Sequence, residues 1–148
     1  MRQADRPGLP GLRGWGLVPA AVLVLATLAT GCSSSSSSKP AYCAAASQLK
    51  TSVQNLGNVN INVHDLSSVN TAVSKVQADA KTFASEAKSA YPSQTTALQN
   101  SVSSLETAVK SAMAQPSVTT VAAVVSSVTQ VKTAADNAQT AVKGKCQS

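Results

Sequence analysis

Between its glycine and proline breaks this chain carries apolar residues at alternating steps of three and four, the spacing that lines one face of an α-helix. In the first segment Tyr42, Ala46, Leu49, Val53 and Leu56 follow the step, and Gly57 is expected as its stop. The second holds it longest, through Leu66, Val69, Val73, Val76, Ala80, Phe83, Ala87 and Ala90 to Tyr91-Pro92. Leu98, Val102, Leu105, Val109 and Ala112 form the third, ending at Pro116. Val121, Val124, Val128, Val131, Ala135, Ala138 and Val142 form the fourth, before Gly144. A sustained period of 3.5 is the seam of left-handed helix packing at a shallow crossing angle. Short connections after the second and third segments make those neighbours antiparallel. The expected fold is therefore all-α, an up-down-up-down four-helix bundle over residues 41–148.

The abundance of Val and Thr argues for strands, because branching at Cβ restricts the side chain in a helix. Spacing outweighs it. A half-buried strand needs alternation by two, which Ser117 to Val131 lacks, and Val costs at most about 0.7 kcal/mol per helical site relative to Ala. One short piece does alternate: Asn58-Val59-Asn60-Ile61-Asn62-Val63 reads as extended, with Val59, Ile61 and Val63 facing one way. It is expected to be a connection whose apolar side lies on the bundle; the alternative is an edge that receives a partner strand.

The three cysteines divide into one and two. Cys43 and Cys146 bracket nearly the whole helical region, and an up-down-up-down topology brings the start of the first helix beside the end of the fourth. A disulfide between them is expected in an oxidising, extracytoplasmic setting. Closing a loop of about 100 residues stabilises a fold by up to ~4.7 kcal/mol in the chain-entropy model. Metal binding by the pair lacks a third and fourth ligand nearby in sequence.

The remaining cysteine, Cys32, ends a different kind of segment. Met1 to Gly16 carries Arg2, Arg6 and Arg13 among Pro and Gly, and Leu17 to Ala29 is apolar apart from Pro19 and Thr27. These are the n-region and h-region of a signal peptide over residues 1–31. As a permanent span the apolar stretch is too short, since crossing the hydrocarbon takes about 20 apolar residues. Leu28-Ala29-Thr30-Gly31-Cys32 resembles the lipobox of bacterial lipoproteins, in which small residues precede a cysteine that is thioether-linked to diacylglycerol before cleavage. Thr30 and Gly31 match, whereas Ala29 stands where Leu is usual and Leu28 lies one place further back. The resemblance implies lipidation of Cys32, hence a membrane anchor; ordinary secretory cleavage is the alternative. Residues 32–40, with Ser33 to Ser38 and then Lys39-Pro40, read as a flexible tether reaching roughly 15 Å.

The expected mature chain, from Cys32 onward, is cationic, with nine lysines against five acids and no Arg. Its lysines form no dense run and have no interleaved aromatics, so nucleic acid is not an expected partner. Catalytic chemistry is equally thin. His64 is the only histidine, and its neighbour Asp65 is expected as the cap of the second helix. Glu86 and Glu106 are the only glutamates, and neither begins the Glu-x-x-His pair of a di-metal bundle. Asp79 and Glu86 flank the second helix's apolar stripe and are expected to pair with lysines on an adjacent helix. No phosphate-binding glycine loop or G-x-S-x-G nucleophile elbow occurs. Neither an enzyme nor a resident metal or cofactor is expected.

Cys43-Ala44-Ala45-Ala46-Ser47-Gln48-Leu49 at the domain start, an Ala/Val/Ser/Thr helical body and a terminal Cys146 make the chain similar to small secreted proteins and lipoproteins of high-GC Gram-positive (actinobacterial) type. That resemblance is compositional and implies location and fold without functional residues. The expected role is a non-enzymatic envelope protein at the outer face of the cell membrane, acting through contacts with an envelope protein or anionic cell-wall polymer. The alternative is a module binding a small ligand, apolar or otherwise, between the helices.

Overall fold

A computed structural model describes residues 39–148. Four helices account for most of them: α1 (Ala41–Gly57), α2 (Leu66–Ala87), α3 (Pro92–Ala114) and α4 (Val118–Cys146). They pack as a closed ring, α1 on α2, α2 on α3, α3 on α4 and α4 back on α1, with no close backbone approach across either diagonal. The expected four-helix bundle is what forms. The run expected to be a signal segment, the lipobox-like residues with Cys32, and residues 33–38 of the expected tether lie outside the described residues.

Antiparallel order shows directly in what meets at each end. Cys43 in the first turn of α1 is bonded to Cys146 in the last turn of α4, with Cα atoms 5.5 Å apart. Tyr42, also at the start of α1, packs edge-on against Tyr91 at the start of α3, ring centroids 5.5 Å apart. One pole thus gathers the starts of α1 and α3 with the ends of α2 and α4. At the other pole lie the 58–65 and 115–117 connections.

The seam is the predicted one. Leu49, Val53 and Leu56 on α1, the α2 series from Leu66 to Ala87, Leu98 to Ala112 on α3, and Val124, Val131, Ala135, Ala138 and Val142 on α4 are all buried in a single core. Val121 and Val128 are half-buried against it. Phe83 is the bulkiest side chain fully enclosed, among Ala, Val and Leu. Small residues on most core positions suit a bundle whose helices approach closely.

A chain this rich in Ser and Thr stays helical because its hydroxyls find partners along the helix. Thr51, Thr71, Ser74, Thr82, Ser101, Thr107, Thr129, Thr133 and Thr140 each donate to the carbonyl four residues back, at 2.9–3.2 Å. This is the local alternative that otherwise draws such residues out of helices, here made compatible with one. Buried Ser52 and Thr95 are satisfied by carbonyls one turn back, and no buried side-chain polar atom among the described residues lacks a partner.

Helix ends follow local chemistry, with one departure from expectation. Pro92 opens α3 at its first turn, where a missing N–H costs nothing. Ser117 caps α4 in a capping box: Ser117 Oγ accepts from Thr120 N, and Thr120 Oγ1 accepts from Ser117 N. Gly57, expected as the stop of α1, is its last helical residue, with Asn58 in right-handed geometry after it. Gly144 does not end α4, and the helix runs on to Cys146. An interior glycine costs about 1 kcal/mol relative to Ala, a small term beside the packing and the disulfide at that end.

At 17 residues α1 is far shorter than the 29-residue α4. Gly57 and Lys132 share one groove between them, so the first turns of α4 extend beyond the end of α1. The 58–65 connection continues where α1 stops. Val59 and Ile61 pack on the core, as the alternation predicts, and the segment forms no strand. Asn62 closes it, its Oδ1 accepting from the backbone N of His64 at 2.8 Å and of Asp65 at 3.1 Å.

Candidate functional site

The pole built by the disulfide holds most of the distinctive side chains. Cys43 and Cys146 are half-buried, 103 residues apart in sequence, and their bond joins the first turn of the first helix to the last turn of the fourth. The expected pairing is therefore present, which leaves Cys32 as the one cysteine outside it. Lys39, the first described residue, donates from Nζ to the Cys146 carbonyl at 2.9 Å. That carbonyl ends α4, where the helix dipole favours a cation, and Lys143 and Lys145 occupy the same last turn. Partial burial raises the Tyr42 phenol above its ordinary pKa, and the neighbouring Tyr91 adds to the shift.

His64 and Asp65 lie at the opposite pole, both exposed. Asp65 is the cap of α2, as expected: its carboxylate accepts from Ser68 Oγ at 2.8 Å, Ser67 Oγ at 3.0 Å and Ser68 N at 3.3 Å. The Ser68 hydroxyl, then Ser67 and the Ser68 amide, hold this carboxyl below its usual pKa. Its oxygens are thus engaged in starting a helix rather than in orienting His64.

Neither of the carboxylates expected to bridge helices, Asp79 and Glu86, does so. Asp79 is buried and pairs within its own helix, both oxygens accepting from Lys75 Nζ at 2.8 Å. The lysine one turn earlier reaches forward along the same face and satisfies the carboxylate without spanning the seam. Lys132 and Asp136 form a second such pair on α4 at 3.0 Å. Glu86 is exposed. No group of three or more His, Cys, Asp or Glu gathers among the described residues, and no helix there is long and apolar enough to cross a membrane.

Grooves run along the outside, between neighbouring helices. One of about 560 Å³ lies between α1 and α4, lined mainly by polar residues including Lys50, Gln54, Lys132, Asp136 and Gln139. Another, between α2 and α3, is flanked by Lys81, Lys88 and Gln99. Neither is lined by Leu49, Leu56, Phe83, Leu98 or Leu105, the bulky side chains of the fully enclosed core.

The far pole differs in kind. The end of α3 and the start of α4 present Met113, Val118 and Val125, which are 48, 82 and 47% exposed. Val118 follows the cap residue Ser117 directly, so the turn that begins α4 holds its side chain outward. Sequence periodicity gives no sign of this, because Val118 and Val125 fall off the buried seam and read as ordinary valines of a Val-rich helix. Comparison of the chain with protein-family models, with curated proteins and with solved structures gave no match.

Proposed function

We propose that this protein is a lipid-anchored, non-enzymatic component of the bacterial cell envelope, held at the outer face of the cell membrane through Cys32, whose bundle acts by contact with other envelope molecules. The observation that carries the reading is the place where the tether joins. Lys39 and Pro40 sit at the disulfide pole. Cys32 is seven residues before Lys39, and a chain spans at most about 3.6 Å per residue, so a lipid on Cys32 keeps this pole within roughly 25 Å of the bilayer.

The opposite pole then points away from the lipid, and it is there that Met113, Val118 and Val125 are exposed. Exposed apolar side chains at the outward end suit contact with an envelope protein. Likeness to the lipoproteins of high-GC Gram-positive bacteria, the lipobox-like Leu28–Cys32 run and the free position of Cys32 outside the disulfide support the same reading. A ligand lodged between the helices is less well supported, because the large core side chains are fully enclosed.

Substituting Cys32→Ala tests the anchor. The variant cannot form the thioether and is expected to keep residues 1–31, running as a longer, lipid-free chain, whereas the unmodified protein is shortened, lipid-bearing and held in the membrane fraction. A variant with the wild-type length and membrane distribution would overturn the reading.

A further inference from the structure

We propose that the disulfide pole is a docking surface for anionic phospholipid headgroups, so that the bundle stands on the membrane by its lysine-bearing end. The inference rests on the lipid-anchor reading for its setting, but the geometry behind it belongs to the bundle alone. The lysines are scattered in sequence, and the topology gathers them. Lys39 precedes α1 and reaches the Cys146 carbonyl; Lys143 and Lys145 lie in the last turn of α4; Lys88 follows the last residue of α2, three residues before the Tyr91 that packs on Tyr42. All four are exposed, and among the described residues the only acidic side chain at this end is that of Glu86.

Elsewhere the balance is different. The far pole has Lys110 against Asp65 and Glu106. Along the middle, two of the four lysines, Lys75 and Lys132, are already paired with Asp79 and Asp136. Unpaired positive charge therefore accumulates at one end, and that end is where the tether leaves. A lysine near an anionic bilayer is attracted by about 1 kcal/mol, and the attraction falls off within a Debye length of about 8 Å at physiological salt. Only a pole brought to the surface feels it. Docking by this end holds the bundle upright, whereas a neutral pole would leave it free to lie down on its tether.

The test uses the full chain with Cys32→Ala, so that no attached lipid contributes. Binding is measured by co-sedimentation with vesicles of neutral phosphatidylcholine and with vesicles in which a third of the lipid is anionic phosphatidylglycerol. Any uptake by the apolar Leu17–Ala29 stretch occurs on both and is subtracted, and the attraction of Arg2, Arg6 and Arg13 to phosphatidylglycerol is measured on a peptide of residues 1–31 and subtracted likewise. The fourfold variant Lys39→Gln, Lys88→Gln, Lys143→Gln, Lys145→Gln is compared with a control of equal charge loss, Lys50→Gln, Lys75→Gln, Lys110→Gln, Lys132→Gln. The phosphatidylglycerol-dependent partition coefficient is expected to fall roughly 600-fold in the pole variant, at about fivefold for each of its four lysines, and less than about threefold in the control. Should the fourfold variant lose helicity, Lys88→Gln and Lys143→Gln singly, at about fivefold each, carry the comparison.

Equal losses in both variants, or no dependence on phosphatidylglycerol, would overturn the proposal. So would abolition of vesicle binding by soluble polyglycerol phosphate at matched phosphate, which would give the pole to a wall polymer. Because the chain tested carries no lipid, these results are independent of whether Cys32 is the anchor.

Discussion

Replacing both Cys43 and Cys146 by Ser removes the one covalent link in the bundle and changes little else. The two residues are half-buried, serine is close to cysteine in size, and replacing both avoids a stray thiol. The bond closes a loop of 103 residues, nearly all of the bundle. In the chain-entropy model a loop of that length restricts the unfolded chain enough to stabilise the fold by about 4.7 kcal/mol. Whole domains are stable by only about 5–15 kcal/mol, so the loss is a large share of the total. At roughly 4 °C per kcal/mol for a domain of this size, Tm falls by about 20 °C. Urea denaturation followed by helical circular dichroism gives the free energy directly. Native helicity is expected to be unchanged, since the seam from Leu49 to Val142 does not include the sulfurs. The denaturant slope is expected to rise, because an uncrosslinked unfolded chain exposes more surface. A loss under about 1 kcal/mol with an unchanged slope would refute the claim that the staple acts through the unfolded chain.

Phe83→Ala removes the only phenylalanine, fully buried in the core, and is expected to cost about 3–5 kcal/mol by denaturation, far more than Val118→Ala at the exposed start of α4. The lowered pKa of Asp65 gives the α2 cap a pH dependence. Its folded value lies below that of the unfolded chain, about 3.9, so its contribution is present above that pH and disappears as the pH falls through the folded value. The stability difference between wild type and Asp65→Asn, measured by urea midpoints, should therefore shrink on acidification; a difference independent of pH would refute the assignment.

Heptad spacing made the bundle legible because burial enforces it: each residue expected on the seams from Leu49 to Val142 is buried or packs on the core, except that the seam of α2 stops at Ala87 and leaves Ala90 exposed. The disulfide was legible for a related reason, since an even number of antiparallel helices returns the chain to its starting end. Helix termini were harder to read. Gly57 does end α1, but Gly144 only looks like a stop, and its modest cost in a helix is outweighed by the demand that Cys146 reach Cys43. Asp79 was expected to look outward to a neighbouring helix, but a lysine one turn earlier was nearer. The lysine pole was legible only through that same topology. Lys39, Lys88, Lys143 and Lys145 are spread over more than a hundred positions, and only the folded topology brings them to one end.

The anchor is the claim on which the cellular reading depends, and the most direct measurement of it is the mass of the N-terminal peptide of protein isolated from cell membranes. The account predicts a peptide beginning at Cys32 whose mass includes a thioether-linked diacylglycerol. A mature chain that begins elsewhere, or that begins at Cys32 with an unmodified thiol, would contradict it.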